Sequence, residues 1–200
     1  MAVGSSSTGA PTIRTSTDGP AWTSRSVPGG AIDSLGGVTY GNGMFVAVSN
    51  WGSILTSTNG IGWSLASSPA EGRFNLNGVG YFDGLFVAVG NLGGILTSTD
   101  GANWTERGSR IAGPDQNPVD IAYSDGLFVA VSAWTGQALT SPNAITWTVR
   151  ETGESSGGLH GITHGNGLFL AVGGSGWIGT SPDGINWTPR ASVVSVLRMA

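Results

Sequence analysis

The sequence predicts an all-β protein: a five-bladed β-propeller of four-stranded blades, each about 40 residues long. Three observations predict it. Tryptophans recur at Trp22, Trp63, Trp104, Trp147 and Trp187, in steps of 41, 41, 43 and 40 residues. An apolar run recurs as Met44 to Ser49, Leu85 to Gly90, Leu127 to Ser132 and Leu168 to Gly173, with a truncated copy in Met1-Ala2-Val3-Gly4. A Thr-Ser pair opens a turn at Thr15-Ser16, Thr56-Ser57, Thr97-Ser98, Thr140-Ser141 and Thr180-Ser181.

Each repeat reads as four short strands in order. The first is typified by Val79-Gly80-Tyr81 and ends in a turn: Gly41-Asn42-Gly43, Phe82-Asp83-Gly84, Ser124-Asp125-Gly126 or Gly165-Asn166-Gly167. Asn-Gly and Asp-Gly supply the positive φ that two-residue hairpins need. The second strand is the apolar run. Nearly every position is apolar, so both of its faces should be covered. A short loop leads to the third strand, such as Ile54-Leu55-Thr56-Ser57. Another hairpin follows at Asp18-Gly19, Asn59-Gly60, Asp100-Gly101, Asn143-Ala144 or Asp183-Gly184. Ala144 stands where the other copies have glycine, which should strain that turn. The fourth strand carries Trp-Thr, with an arginine two residues on at Arg25, Arg107, Arg150 and Arg190. Gly and Pro interrupt every window, so no helix longer than two turns is expected.

The ring should close on its own ends. From Trp187 through Ala200 and on from Met1 to Trp22 the step is 35 residues, close to the period. Val194-Ser195-Val196-Leu197 is then expected to supply the first strand of the blade begun by residues 1–25, pairing the N- and C-terminal strands. One domain, 1–200, is the expected organisation.

Composition narrows the function classes. The net charge is −4 and charged residues make up 10%, which excludes a nucleic-acid surface. The eight basic residues are all arginine, and there is no cysteine. No apolar run reaches the roughly 18 residues of a membrane span, and no leader-like segment precedes the first strand, so membrane insertion is not expected. A cytoplasmic or virion-associated location is expected instead. No Walker or dinucleotide glycine motif occurs, and no cofactor is expected. His160 and His164 flank a strand, and no loop has the acidic spacing of a calcium site, so no metal is expected.

The phrase Ser98-Thr99-Asp100-Gly101-Ala102-Asn103-Trp104-Thr105 resembles the Asp-box of bacterial neuraminidase-type (BNR) repeats. It is also similar to the repeats of the photosystem II assembly-factor type of propeller. The spacing from Asp to Trp is one residue shorter than usual. The resemblance covers the whole chain. It implies a propeller in which the Asp-box is a structural hairpin, remote from any active site. The family includes sialidases, which use an arginine triad, a Tyr–Glu pair and an acidic Asp. Here four arginines fall at the repeated position after Trp-Thr, and Tyr40, Tyr81, Tyr123 and His164 share another. No triad can be assigned, and sialidase activity is not carried over. Five-bladed glycosidases need carboxylates from different blades at the inner strand ends. Of Gly37, Gly78, Asp120, Gly161 and Ser195, one is acidic. Asp120 and His160, from neighbouring blades, are the pair expected to meet at the ring's opening. The bland alternative is that they bond each other or loop backbone. The chain is expected not to be an enzyme.

Binding candidates lie where the repeat breaks. Trp51, Trp134 and Trp177 are off the period, all between second and third strands. The loops between blades also vary: residues 26–34, 67–77, 108–118 and 151–159. Strands alternate direction, so both loop sets should share one face of the disc, with Arg73 and Arg110 beside the tryptophans. Rigid loop aromatics suggest binding. Alternatively, each Trp covers the blade beneath it. Two partner classes follow: a protein, as for an accessory module of a phage virion, or a glycan bound lectin-fashion. A repeat lectin should place its aromatic at one position in every blade. Leu92 replaces the Trp in one blade and Trp177 is offset by two residues, which favours a protein partner. The opposite, hairpin-bearing face is expected to be poor in anchors.

Overall fold

The computed structural model describes residues 1–29, 34–107, 116–155 and 157–190. Blade 1 contains β1 (Ala2–Ser5), β2 (Pro11–Thr15) and β3 (Thr23–Arg25). Blade 2 contains β4 (Leu35–Gly41), β5 (Met44–Ser49), β6 (Ile54–Ser57) and β7 (Ser64–Ala66). Blade 3 contains β8 (Leu76–Phe82), β9 (Leu85–Gly90), β10 (Gly94–Ser98) and β11 (Thr105–Glu106). Blade 4 contains β12 (Pro118–Ser124), β13 (Leu127–Ser132), β14 (Ala138–Ser141) and β15 (Thr148–Arg150). Blade 5 contains β16 (Leu159–Gly165), β17 (Leu168–Gly173), β18 (Ile178–Ser181) and β19 (Thr188–Arg190). Each blade is an antiparallel meander, and the chain is a five-bladed β-propeller. The helical content among the described residues is three single 3-10 turns. The closure strand expected at residues 194–198 lies outside the described residues.

Blades pack face to face, and the second strand makes the contact. Val46 and Val48 of β5 pack with Phe86, Ala88 and Leu96 of blade 3. Val87 and Val89 repeat this against blade 4, and Val129 and Val131 against blade 5. All six valines are fully buried. In blade 5 the face turned toward blade 1 differs, and the strand expected to complete blade 1 lies outside the described residues. On that face Leu168, Leu170 and Val172 are exposed. Their equivalents face the next blade, which for blade 5 is blade 1, and blade 1's described residues form three strands.

The inner strands crowd the axis, which needs glycine. A Cβ on Gly78 would stand 2.6 Å from the Val119 carbonyl oxygen, and one on Gly36 2.7 Å from the Asn77 oxygen. Every described inner strand is also bulged at its start, between Leu35 and Gly37, Leu76 and Gly78, Pro118 and Asp120, and Leu159 and Gly161. Such bulges bend a strand and re-aim its end.

The inner hairpins turn through two positive-φ residues each: Asn42-Gly43, Asp83-Gly84, Asp125-Gly126 and Asn166-Gly167. These are the type I′ turns whose twist matches the flanking strands. The outer hairpins are built differently. In blade 3 the Asp100 Oδ1 accepts the Ala102 and Asn103 amides at 2.9 and 2.8 Å, and Oδ2 accepts Asn103 Nδ2 at 2.8 Å. Ser98 Oγ accepts the Gly101 amide, and Trp104 Nε1 donates to the Gly101 carbonyl at 2.8 Å. Asn59 and Asn143 accept the same backbone pair in blades 2 and 4. Ala144 does adopt φ 57°, and the Trp147 indole N–H is buried without a partner. In blades 2, 3 and 5, which have glycine there, Trp63, Trp104 and Trp187 donate to its carbonyl.

Backbone and side-chain hydrogen bonds to the charged form hold the Asp100 and Asp183 carboxyls far below the usual range. A folded value below the unfolded one stabilises the fold above about pH 4, a contribution lost as pH falls toward the folded value. The Asp100→Asn/Asp183→Asn variant should therefore show a shallower loss of stability in acid than wild type, measured by thermal melts across pH. At neutral pH it should still fold, because Asn59 and Asn143 already close this turn uncharged. Gly78→Ala should destabilise by about 1–3 kcal/mol in urea titrations, because the added methyl strikes backbone. Gly62→Ala, at a turn position where the other blades carry Asn103, Thr146 and Asn186, is the matched control.

Candidate binding face

The loops between blades and the loops between second and third strands lie on one face and are tied together. Gly72 N donates to the Trp51 carbonyl at 2.8 Å, and Asn91 N to the Asn75 carbonyl at 3.1 Å. Gly93 N donates to Gln116 O, Ala133 N to Asn117 O, and Gly174 N to Gly158 O. Side chains repeat the pattern: Ser68 Oγ donates to the Gly52 carbonyl and Thr152 Oγ1 to the Gly136 carbonyl, both at 2.5 Å. Glu154, buried, accepts the Gly158 amide at 2.8 Å. This stitching makes a loop face that behaves as part of the scaffold.

Trp51 and Trp134 are each 58% exposed on this face. Trp51 sits in the 3-10 turn Asn50–Gly52 at φ 69°, with its amide donated to Asn75 Oδ1 at 3.0 Å. A bulky residue in the left-handed region is strained. Leu92 occupies the same place in blade 3, at φ 56°, and is also exposed. Leu92 interrupts the tryptophans in the sequence, but in the fold it is a further exposed apolar side chain at the position of Trp51.

Trp177 is different. Its ring lies over Gly179, where a Cβ would stand 2.2 Å from the ring, and it packs on the core between blades 4 and 5. Its indole N–H is buried without a partner. Trp177 is therefore a lid, for the physical reason that its two-residue offset moves it from the turn tip to the strand edge.

Arg73 lies beside Trp51 but already has partners. Its Nη1 donates to Glu106 Oε2 at 2.6 Å and to the Pro69 carbonyl at 3.0 Å, and its guanidinium lies 5.8 Å from the Phe74 ring centre. It ties blade 2's exit loop to β11. Arg110 lies outside the described residues.

Asp120 and His160 are not joined by a hydrogen bond or ion pair among the described residues. Asp120 Oδ2 accepts the Ile162 amide of the next inner strand at 2.9 Å, and Oδ1 accepts the Ile121 amide. Burial raises its pKa, opposed by those two amides. His160 occupies the bulge of β16 and is exposed. The carboxylate thus fastens blade 4 to blade 5 through backbone, the bland alternative stated above. The repeated arginines also have a structural part. Nε of Arg25, Arg107, Arg150 and Arg190 donates to Oγ1 of Thr15, Thr97, Thr140 and Thr180 at 2.8, 2.7, 3.1 and 2.7 Å. Tyr40, Tyr81, Tyr123 and His164 each stack on the cross-strand Phe, at 4.5 to 4.7 Å between ring centres.

The hairpin face was expected to be poor in anchors, and it is not. Ile61, Ile145 and Ile185 are exposed there, each just after the outer turn, with Trp22 and Tyr40. The signal was present as a repeated position, the residue following the turn glycine or Ala144.

No protein-family model matches the chain, and no curated protein matches it. Solved structures do. Virginiamycin B lyase from Staphylococcus aureus, in a catalytically inactive form with quinupristin, superimposes with a TM-score of 0.79 at 17% identity, over 92% of this chain and 64% of that one. YCF48 bound to D1 peptide gives 0.67 at 20% identity, over 91% of this chain and 61% of that one. The Niastella koreensis GH74 enzyme gives 0.56 at 20%, over 81% and 25%. These likenesses establish the fold, a β-propeller of repeats. The chain spans under two thirds of the length of each of these three.

Trp51→Gly should leave stability within about 1 kcal/mol of wild type or raise it, since it relieves left-handed strain at an exposed site. Trp177→Ala should lower it by roughly 3 kcal/mol by uncovering the core. Denaturant titration of both variants separates anchor from lid.

Proposed function

We propose that this chain is a non-enzymatic Asp-box-type propeller that binds a protein partner through its loop face, as an accessory module of a larger particle such as a phage virion. One observation carries the reading. Trp51 and Trp134 present large, exposed indoles on a face held rigid by interlocking backbone bonds. Such aromatics lose little conformational freedom on binding and commonly dominate interfaces. Leu92 adds an exposed apolar side chain in the blade between them. The peptide bound to YCF48 supports a polypeptide partner for this architecture. The lyase and glycoside hydrolase among the similar structures share the fold with this chain at low identity. Asp120 and His160 offer no paired acid and base here, which favours a binding role over catalysis.

A glycan partner is the second reading, and blade 4 favours it. Beside Trp134, Gln116 Nε2 donates to Gln137 Oε1 at 2.8 Å, Gln137 Nε2 donates to Glu151 Oε1 at 2.6 Å, and Thr135 Oγ1 donates to Gln116 Oε1 at 3.3 Å. An aromatic plate flanked by planar polar groups suits a sugar ring.

The test uses the purified chain and its Trp51→Ala/Trp134→Ala variant. Protein capture from the host lysate should fall roughly tenfold or more in the variant, with melting within a few degrees of wild type. A glycan array should stay at background. Array signal lost in the variant establishes the lectin reading instead. Unchanged capture by a folded variant overturns the loop face as the binding surface.

A further inference from the structure

The turn-bearing face, opposite the tryptophans, has a uniform chemistry of its own. Its inner turns carry Asn42, Asp83, Asp125 and Asn166, and its outer turns Asp18, Asn59, Asp100, Asn143 and Asp183. Five of these nine are aspartates, and no arginine sits in any of these turns. Backbone amides aimed at Asp18, Asp100 and Asp183 favour their charged forms, so the face stays negative. Between the acids stand apolar side chains. Ile61, Ile145 and Ile185 are 53%, 45% and 38% exposed. Their amides are donated to the turn Asn or Asp.

The same face opens between blades 4 and 5 into a cleft of about 270 Å³, lined by Ser124, Asp125, Leu127, Phe169, Pro182 and Asp183. One wall is the inner turn of blade 4 with Asp125. The other is the outer turn of blade 5 with Asp183. Leu127 and Phe169 supply apolar surface between them. Asp183 is occupied by its own turn, accepting from Ile185, Asn186 and Ser181. Asp125 accepts a hydrogen bond from Ser124 Oγ at 2.9 Å, and its remaining lone pairs are available to a ligand. Two carboxylates over an aliphatic and aromatic lining match a long side chain with an apolar stem and a cationic head. A guanidinium satisfies this best, because it stacks on an aromatic face and bonds a carboxylate through a planar fork.

We propose that this face docks a basic, amphipathic polypeptide segment of another protein, with an arginine seated between Asp125 and Asp183 and apolar neighbours resting on Ile145 and Ile185. Charge complementarity selects the occupant. A second copy of this chain meeting face to face would bring like charges together, which disfavours self-association here. The site is separate from the tryptophan face and stands or falls apart from it.

The turns themselves provide well-matched variants. Asn42 and Asn166 occupy the position of Asp125 in blades 2 and 5, and Asn59 and Asn143 that of Asp183 in blades 2 and 4. Asp125→Asn/Asp183→Asn therefore removes both charges with conformations the fold already uses. The experiment titrates isotope-labelled full chain with a short synthetic peptide alternating arginine and leucine, and with the same peptide carrying uncharged citrulline for arginine. Amide resonances of residues 124–127, 181 and 183–185 should shift and saturate with the arginine peptide. Affinity should drop roughly tenfold or more for the citrulline peptide and for the double variant, and should weaken with added salt. Asp125→Asn alone should give part of the loss. The Trp51→Ala/Trp134→Ala variant should bind this peptide as wild type does. Equal binding of the two peptides, equal binding by the Asn variants, shifts confined to the loop face, or no shifts with the arginine peptide would each overturn the proposal.

Discussion

The contact on which this molecule depends is the apolar packing of one blade's second strand on the next blade. Val46 and Val48, Val87 and Val89, and Val129 and Val131 lose all contact with water in it. A twisted four-stranded sheet of this size cannot bury both of its faces alone, so neighbouring blades complete each other's cores. The four separate apolar clusters each span a blade boundary, which makes the ring a chain of seams. The glycines at the inner strand starts follow from the same requirement. Burying the faces draws the inner strands together until a single Cβ would strike backbone.

The two ends of the disc are then left with different tasks. At one end, chain reversals are short and repeat the same turn chemistry in blade after blade. At the other, the connections between blades are long and vary, and the loops there satisfy their backbone groups by bonding to one another. That mutual bonding is why an irregular face can still present Trp51 in a strained conformation. A free loop would relax, whereas the Asn75 side chain and the Gly72 amide hold both peptide groups of that residue. Polar residues that resembled a site turn out to join neighbours: Asp120 to the Ile162 amide, Arg73 to Glu106. Charged groups near a propeller's openings are also the groups best placed to tie adjacent blades.

Much of this was legible in the chain itself, and the reason is repetition. Five copies of the repeat tryptophan, with the recurring apolar run and the Asn-Gly or Asp-Gly turns, determined the strand order, the hairpin types and the blade count, since each is a local consequence of residue type. Even the departure at Ala144 could be read as a strained turn, because left-handed backbone is a single-residue property. Which side chains are free was decided by tertiary structure alone. Trp51 and Trp177 look alike in sequence, yet one stands on a turn tip and the other lies across Gly179. Ile61, Ile145 and Ile185 share one repeated position after the outer turn, and the fold points them to solvent. Exposure and pairing depend on what the neighbouring blade places opposite, and a residue's own sequence neighbours carry no information about a partner some 40 positions away.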